Sequence, residues 1–321
     1  MRLCMDNIIK RILENIKTTD NDAILSETSN ESVQINKDNF QDIKEKKSNK
    51  TLAFIDGGNL EIIKSPSFSL FFNRIYYTVY QNNKRINKRT FEFYTLITTL
   101  NKDKLYYKTE YFFTKNKFPI KNYEFDSFDN TLTIGNTRAS ISIIGNVIRR
   151  FAELITAKDI KADYIILDGS LEPKYTYEND LIKHLPKKVC GLSKTSAVLT
   201  KQGNSITAHL SKLTSKKTWF HNVNSRLYFL KLHDKSKHVF RFESNLESIN
   251  EIVSLLKKNS RDPIFLGYPY GLIEADKFAR VTKKEKEILQ LQLMTKFKKN
   301  LTKIEPYLSA LDAHDILDNI G

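Results

Sequence analysis

Two short apolar runs in this chain each end on an aspartate followed by glycine: Phe54-Ile55-Asp56-Gly57-Gly58 and Ile166-Leu167-Asp168-Gly169-Ser170. Each pattern predicts a buried strand that stops at a turn. If the two strands are parallel neighbours, their ends coincide and the two carboxylates lie side by side. Parallel neighbours need a long crossover connection, and the intervening residues supply one. Phe68–Tyr80, Ile86–Leu100 and Leu105–Thr114 are extended runs separated by the polar turns 81–84 and 101–104, which predicts an antiparallel meander. In 137–157, Ile141, Ile144, Ile148, Phe151 and Ile155 recur every three or four residues, which predicts a helix leading into the second Asp-Gly strand.

A strand, an antiparallel meander, a crossing helix and a strand returning beside the first define an expected fold class: α/β, an RNase H-like mixed sheet whose first three strands are antiparallel, flanked by helices. Downstream, the pattern predicts a short helix over 178–185, a buried strand over 188–192 and a hairpin from 226–232 and 238–243. It predicts a helix over 246–258, a strand over 264–266, a helix over 272–297 in two pieces around Thr282, and a last helix over 307–319. Upstream, Ile8, Ile9, Ile12, Leu13 and Ile16 form one helical stripe, expected to cap the domain. The expected division is an N-terminal amphipathic helix over 1–18, a polar linker or arm over 19–50, and one catalytic domain over 51–321.

Charge narrows the partner. The chain carries 52 Lys+Arg against 37 Asp+Glu, a net +15, while residues 1–50 hold nine of each sign. The excess therefore belongs to 51–321, and a basic domain fits a polyanion, nucleic acid first. A compositional lysine bias accounts equally for it, since 40 of the 52 are Lys. No apolar run is long enough to span a bilayer, which takes about 20 residues, so no membrane partner is expected. Residues 1–18 lack a secretory pattern. Two cysteines, Cys4 and Cys190, cannot build a disulfide framework or a four-cysteine zinc site, and a cytoplasmic location is expected.

Two adjacent carboxylates repel unless a cation separates them or one is protonated. A hard divalent metal resolves this with oxygen ligands. Glu153 is the single acidic residue of the 137–157 helix and supplies a third candidate, beside Arg149 and Arg150. Such a set suits metal-assisted phosphodiester hydrolysis. Asp-Gly loops also hold phosphates in actin-like ATPases, the rival reading, although that fold wants a hairpin directly after the first Asp-Gly.

The ordered motifs resemble the NurA nuclease family: Phe54-Ile55-Asp56-Gly57-Gly58, Arg150-Phe151-Ala152-Glu153, Ile166-Leu167-Asp168-Gly169-Ser170-Leu171, Gly191-Leu192-Ser193-Lys194-Thr195-Ser196 and Gly267-Tyr268-Pro269-Tyr270 through Ala275-Asp276. The resemblance runs from Thr51 to Arg280. It implies a manganese-dependent DNA nuclease, with magnesium as the alternative metal, having 5′-to-3′ exonuclease and single-strand endonuclease activity. It further implies a homodimer working beside a HerA-type hexameric ATPase in DNA end resection and recombinational repair. By position, Asp56, Glu153 and Asp168 would hold the metal. Lys194 would touch the scissile phosphate or orient water, and Asp276 would complete the catalytic set. Arg149 and Arg150 would hold backbone phosphates, and Tyr268 would bond a phosphate or stack on a base. Members of that family carry His where this chain has Asp276, which puts a general-acid role there in question and leaves His314 as a substitute. The same departure keeps open a non-catalytic DNA-binding adaptor of the ATPase. Lys212, Lys216, Lys217 and Trp219 are expected to line a DNA channel, as is the basic run 296–303.

Overall fold

A computed structural model describes residues 2–15, 22–25, 32–115, 117–194, 196–297 and 303. Its first elements are α1 (Arg2–Asn15), β1 (Ala23–Leu25), β2 (Ser32–Gln34), β3 (Phe40–Asp42), β4 (Thr51–Lys64), β5 (Phe68–Gln81), β6 (Lys84–Asn101), β7 (Leu105–Phe113) and β8 (Glu124–Asp126). Then come α2 (Ile141–Asp159), β9 (Tyr164–Asp168), α3 (Glu178–Lys183), β10 (Val189–Ser193), α4 (Ile206–Leu213), β11 (Trp219–Asn222), β12 (Leu227–Lys231), β13 (Phe240–Glu243), α5 (Asn250–Asn259), α6 (Tyr270–Ala279) and α7 (Lys283–Phe297). The chain divides into two compact units, 1–49 with 168–170 and 187–270, and 50–167 with 171–186 and 271–321. The expected domain start at 51 falls one residue from this boundary, but the region beyond it is split.

The unit that begins at residue 50 is built on the order β9-β4-β5-β6-β7-β8. β4, β5 and β6 are antiparallel, and β9 lies parallel to β4 after the crossover through α2. This is the expected RNase H-like arrangement. The β5–β6 turn is tight because Asn82 and Asn83 adopt φ of 49° and 59°, the left-handed pair that a two-residue hairpin needs. Ser140 caps α2 by accepting from the Ser142 amide, and Ile144, Val147, Ile148 and Phe151 bury its stripe completely.

One expectation fails inside this sheet. β4 does not stop at Asp56-Gly57. It continues to Lys64, with Asp56 opposite Tyr76, Gly57 opposite Ile75 and Gly58 opposite Arg74. The glycines serve close packing rather than a turn.

The second unit carries an antiparallel order β3-β11-β12-β13-β10. Here the expected linker over 19–50 is folded in part. Ile24, Ile35 and Phe40 are buried against Ile206, Trp219 and Phe229, and β3 pairs with β11. Few apolar residues sit in that polar stretch, and Ala23, Ile24, Ile35, Phe40 and Ile43 are buried. The α4 helix and β11 were not anticipated. The expected strand over 264–266 is a 3-10 turn over Pro263–Phe265, since Pro263 opens it and Asp262 accepts from the Ile264 amide. The α1 stripe does not cap anything among the described residues: Ile8, Ile9, Ile12 and Leu13 are exposed. Ile16, the helix expected over 307–319 and His314 lie outside the described residues, as does most of the run 296–303. No described helix is long and apolar enough to cross a membrane.

Candidate active site

The parallel pair of β4 and β9 is clamped at its start. The Thr51 amide donates to Asp163 Oδ2 at 2.8 Å, and the Asp163 amide donates to Thr51 Oγ1 at 2.9 Å. Burial pushes the Asp163 carboxyl up, but the Thr51 amide and hydroxyl and the Lys50 ammonium more than offset it and hold it at about 2. From this clamp the register runs Leu52↔Tyr164 to Ile55↔Leu167. Asp56 and Asp168 are the next residue on each strand.

Side chains alternate along β4, and the glycines show what lies on each face. A Cβ on Gly57 would stand 2.6 Å from Glu153 Oε1 and 3.1 Å from Arg149 Cγ, so α2 covers that face. A Cβ on Gly58 would overlap the Ala279 carbonyl, and one on Gly271 would overlap the Phe54 ring, so α6 covers the other. Asp56 belongs to the α6 face. Glu153, only 2% exposed, pushes its carboxylate into the space that Gly57 leaves empty, on the α2 face. The Gly57 amide donates to Asp56 Oδ1 at 2.7 Å.

Arg149 and Arg150, expected on backbone phosphates, are directed inward. Arg149 Nη1 donates to Glu153 Oε1 and, at 3.1 Å, to the Gly57 carbonyl. Arg150 bonds Glu178 at 2.9 Å and approaches Glu153 Oε2 at 3.5 Å. Two residues that the sequence reading missed stand on the Asp56 face. Tyr76, directly opposite Asp56, donates to Glu274 Oε1 at 2.7 Å, and Tyr80 and Arg85 also bond this buried carboxylate. Burial and Glu274 both push the Tyr76 hydroxyl up, so it remains a donor. Glu274 gives no periodic or motif signal, because its partners come from β5 and β6, about 190 residues earlier. Asp276, two residues on, pairs with Arg280 at 2.7 Å.

The other unit holds Asp168. Lys194 Nζ bonds Asp168 Oδ2 at 2.7 Å, and the Tyr268 hydroxyl donates to Oδ1 at 3.1 Å. Lys194 also lies over the Tyr268 ring at 5.3 Å. That ring is fully buried against Phe240 and Phe265, which corrects the expectation of base stacking: no face is left for a base. Gly169 adopts φ of 114° and lets β9 end sharply, its amide donating to the Leu192 carbonyl. Ser170 then donates to Glu243 at 2.8 Å, a further acidic residue not foreseen. Trp219 is buried in β11, and Lys216 pairs with Asp42, so this stretch does not form the expected aromatic channel wall. Burial pushes the Cys190 thiol up to about 12, which leaves it inert.

Asp56, Glu153 and Asp168 offer only carboxylate oxygens, the donor set of a hard divalent cation. Glu153 approaches β4 from the α2 face and Asp56 lies on the α6 face. Glu153 and Asp168 each have a protein cation in contact, and among the described residues no three His, Cys, Asp or Glu side chains already converge at metal-binding range.

No family model and no curated protein matches the chain. Among solved structures, it is similar to the NurA nuclease from Sulfolobus solfataricus at 14% identity and a TM-score of 0.51, covering 82% of this chain and 89% of that one. It is also similar, at 12% identity and a TM-score of 0.41, to endonuclease V of Ciona intestinalis in complex with an inosine-containing DNA, covering 74% and 87%. The first likeness shows the fold: the chain has a NurA-like, RNase H-like fold.

Proposed function

We propose that this chain is a divalent-metal-dependent DNA nuclease, with Asp56, Glu153 and Asp168 holding the metal. The observation that carries this reading is the β4–β9 register, in which Asp56 and Asp168 each follow the pair Ile55↔Leu167, together with the Glu153 carboxylate seated at Gly57. A bound divalent cation supplies Lewis acidity toward water and the phosphodiester. Lys194 and Tyr268 hold and orient the Asp168 carboxylate, and the Gly57 amide orients that of Asp56. Asp276 extends from the helix that covers the Asp56 face. Manganese as the metal, 5′-to-3′ direction, a homodimer and a HerA-type ATPase partner in end resection belong to the same proposal, and the ordered motifs support them.

The test is purified protein with end-labelled DNA and manganese. Cleavage that disappears in Asp56→Asn and in Asp168→Asn is expected. Equal cleavage by these variants and wild type overturns the assignment.

A second reading is a DNA-binding adaptor that does not cut. The Arg149–Glu153 and Lys194–Asp168 contacts favour it, because a metal has to compete with those cations. Calorimetric titration with manganese separates the two: an adaptor takes up no heat that Asp56→Asn abolishes.

A further inference from the structure

On the α6 face of the sheet, a groove of about 410 Å³ runs beside β6, with Arg74, Thr90, Glu92, Lys115 and Phe278 among its lining. Glu92, the acidic residue in that lining, is neutralised by Arg74 at 2.7 Å, and Arg74 also bonds Glu285. Lys88 and Lys115 are exposed at the rim. A register shift between Val79 and Tyr80 bulges β6 at Ile86, which sets Arg85 on the same face as Lys88. Arg85 is committed to Glu274, and Lys88 extends over the Phe278 ring at 6.0 Å. Phe278 stacks one side on Tyr76 with centroids 5.2 Å apart and remains 45% exposed.

A half-exposed ring with exposed ammonium groups near it is the arrangement that takes a base and its flanking phosphates. Position ties it to the carboxylates. Asp56, Tyr76 and Thr90 form one row across β4, β5 and β6, and two strand spacings put Thr90 roughly 10 Å from Asp56. That distance is about the reach of one or two nucleotides of single strand.

We propose that this groove is a seat for single-stranded nucleic acid, with one base on Phe278 and backbone phosphates on Lys88 and Lys115. The inference rests on the nucleic-acid reading above but not on cleavage. Duplex fits less well, because paired bases present no free face to Phe278.

Fluorescence anisotropy with a labelled oligothymidylate, in EDTA, tests it without hydrolysis. Phe278→Ala is expected to weaken binding about tenfold and to have no effect on an oligonucleotide with abasic sites throughout. Lys88→Glu with Lys115→Glu is expected to weaken both ligands and to reduce the salt slope by about 1.4. Wild-type affinity in the charge variant overturns the seat, as does a Phe278→Ala effect of equal size on abasic and thymidylate strands. Thermal melts confirm that the exposed substitutions leave the fold intact. Binding that follows these rules in a chain whose Asp56→Asn variant cuts as well as wild type keeps the seat and removes the nuclease assignment. Cleavage lost in Asp56→Asn without any Phe278 effect does the reverse.

Discussion

The same dipeptide does two different jobs in this molecule. At Gly57 the backbone is an ordinary strand, and the missing Cβ is a packing requirement, since Glu153 Oε1 occupies the space. At Gly169 the surroundings are open and the requirement is conformational, a φ of 114° that ends β9. One glycine lets a carboxylate pack against the sheet; the other releases the chain from it. Identical local sequence therefore predicts neither the turn nor the packing. What decides is whether a partner strand continues: β5 pairs with β4 on both sides of Asp56, whereas the β4–β9 pairing stops at Leu167.

The comparison breaks most visibly at the aspartates. Asp56→Asn and Asp168→Asn are each expected to cost on the order of a thousandfold in cleavage rate, read from gels with labelled DNA; a loss confined to one of them means that the two motifs do not share a site. Next in size are the glycines. Gly58→Ala forces a methyl onto the Ala279 carbonyl and is expected to destabilise by about 3 kcal/mol in urea melts, whereas Gly169→Ala meets only backbone strain, about 1–2 kcal/mol. An equal cost at both positions contradicts the division of roles.

A smaller effect belongs to the residues that hold Asp168. Lys194→Met and Tyr268→Phe are each expected to lower activity roughly 10–100-fold while leaving melting temperature nearly unchanged for Tyr268→Phe, whose ring stays buried. The smallest concerns the start of the parallel pair. Asp163 sits at about 2, below its ordinary value of 3.8, so its contribution is present above about pH 4 and fades as pH falls toward 2. Asp163→Asn is expected to flatten that part of the acid-unfolding curve, and a curve that keeps its wild-type slope there removes the clamp from the account.

Much of the core unit was legible because its signals are local. The meander, its turns and α2 follow from strand length, Asn-containing turns and a helical period. The fold class followed from their order. What could not be read was anything supplied by distant partners. Phe40 and Ile24 look like stray apolar residues in a polar stretch, and only β11 and α4 show what they bury. Tyr268 looks like a stacking residue until Phe240 and Phe265 enclose it. Arg149 and Arg150 look like phosphate ligands, yet a buried carboxylate one turn away holds such cations more strongly than solvent does.

By itself, the sequence determined that two apolar strand segments each run into an acidic residue, that a long crossover permits them to be parallel, and that the chain from residue 51 on is basic. Periodicity and charge are properties of neighbouring residues, so they survive in the one-dimensional string. The tertiary structure alone decided which face each carboxylate takes, that Gly57 is a gap rather than a bend, and that Tyr76, Glu274 and Phe278 stand on the Asp56 side. Those are properties of register, and a strand's register is set by the partners it pairs with across the sheet.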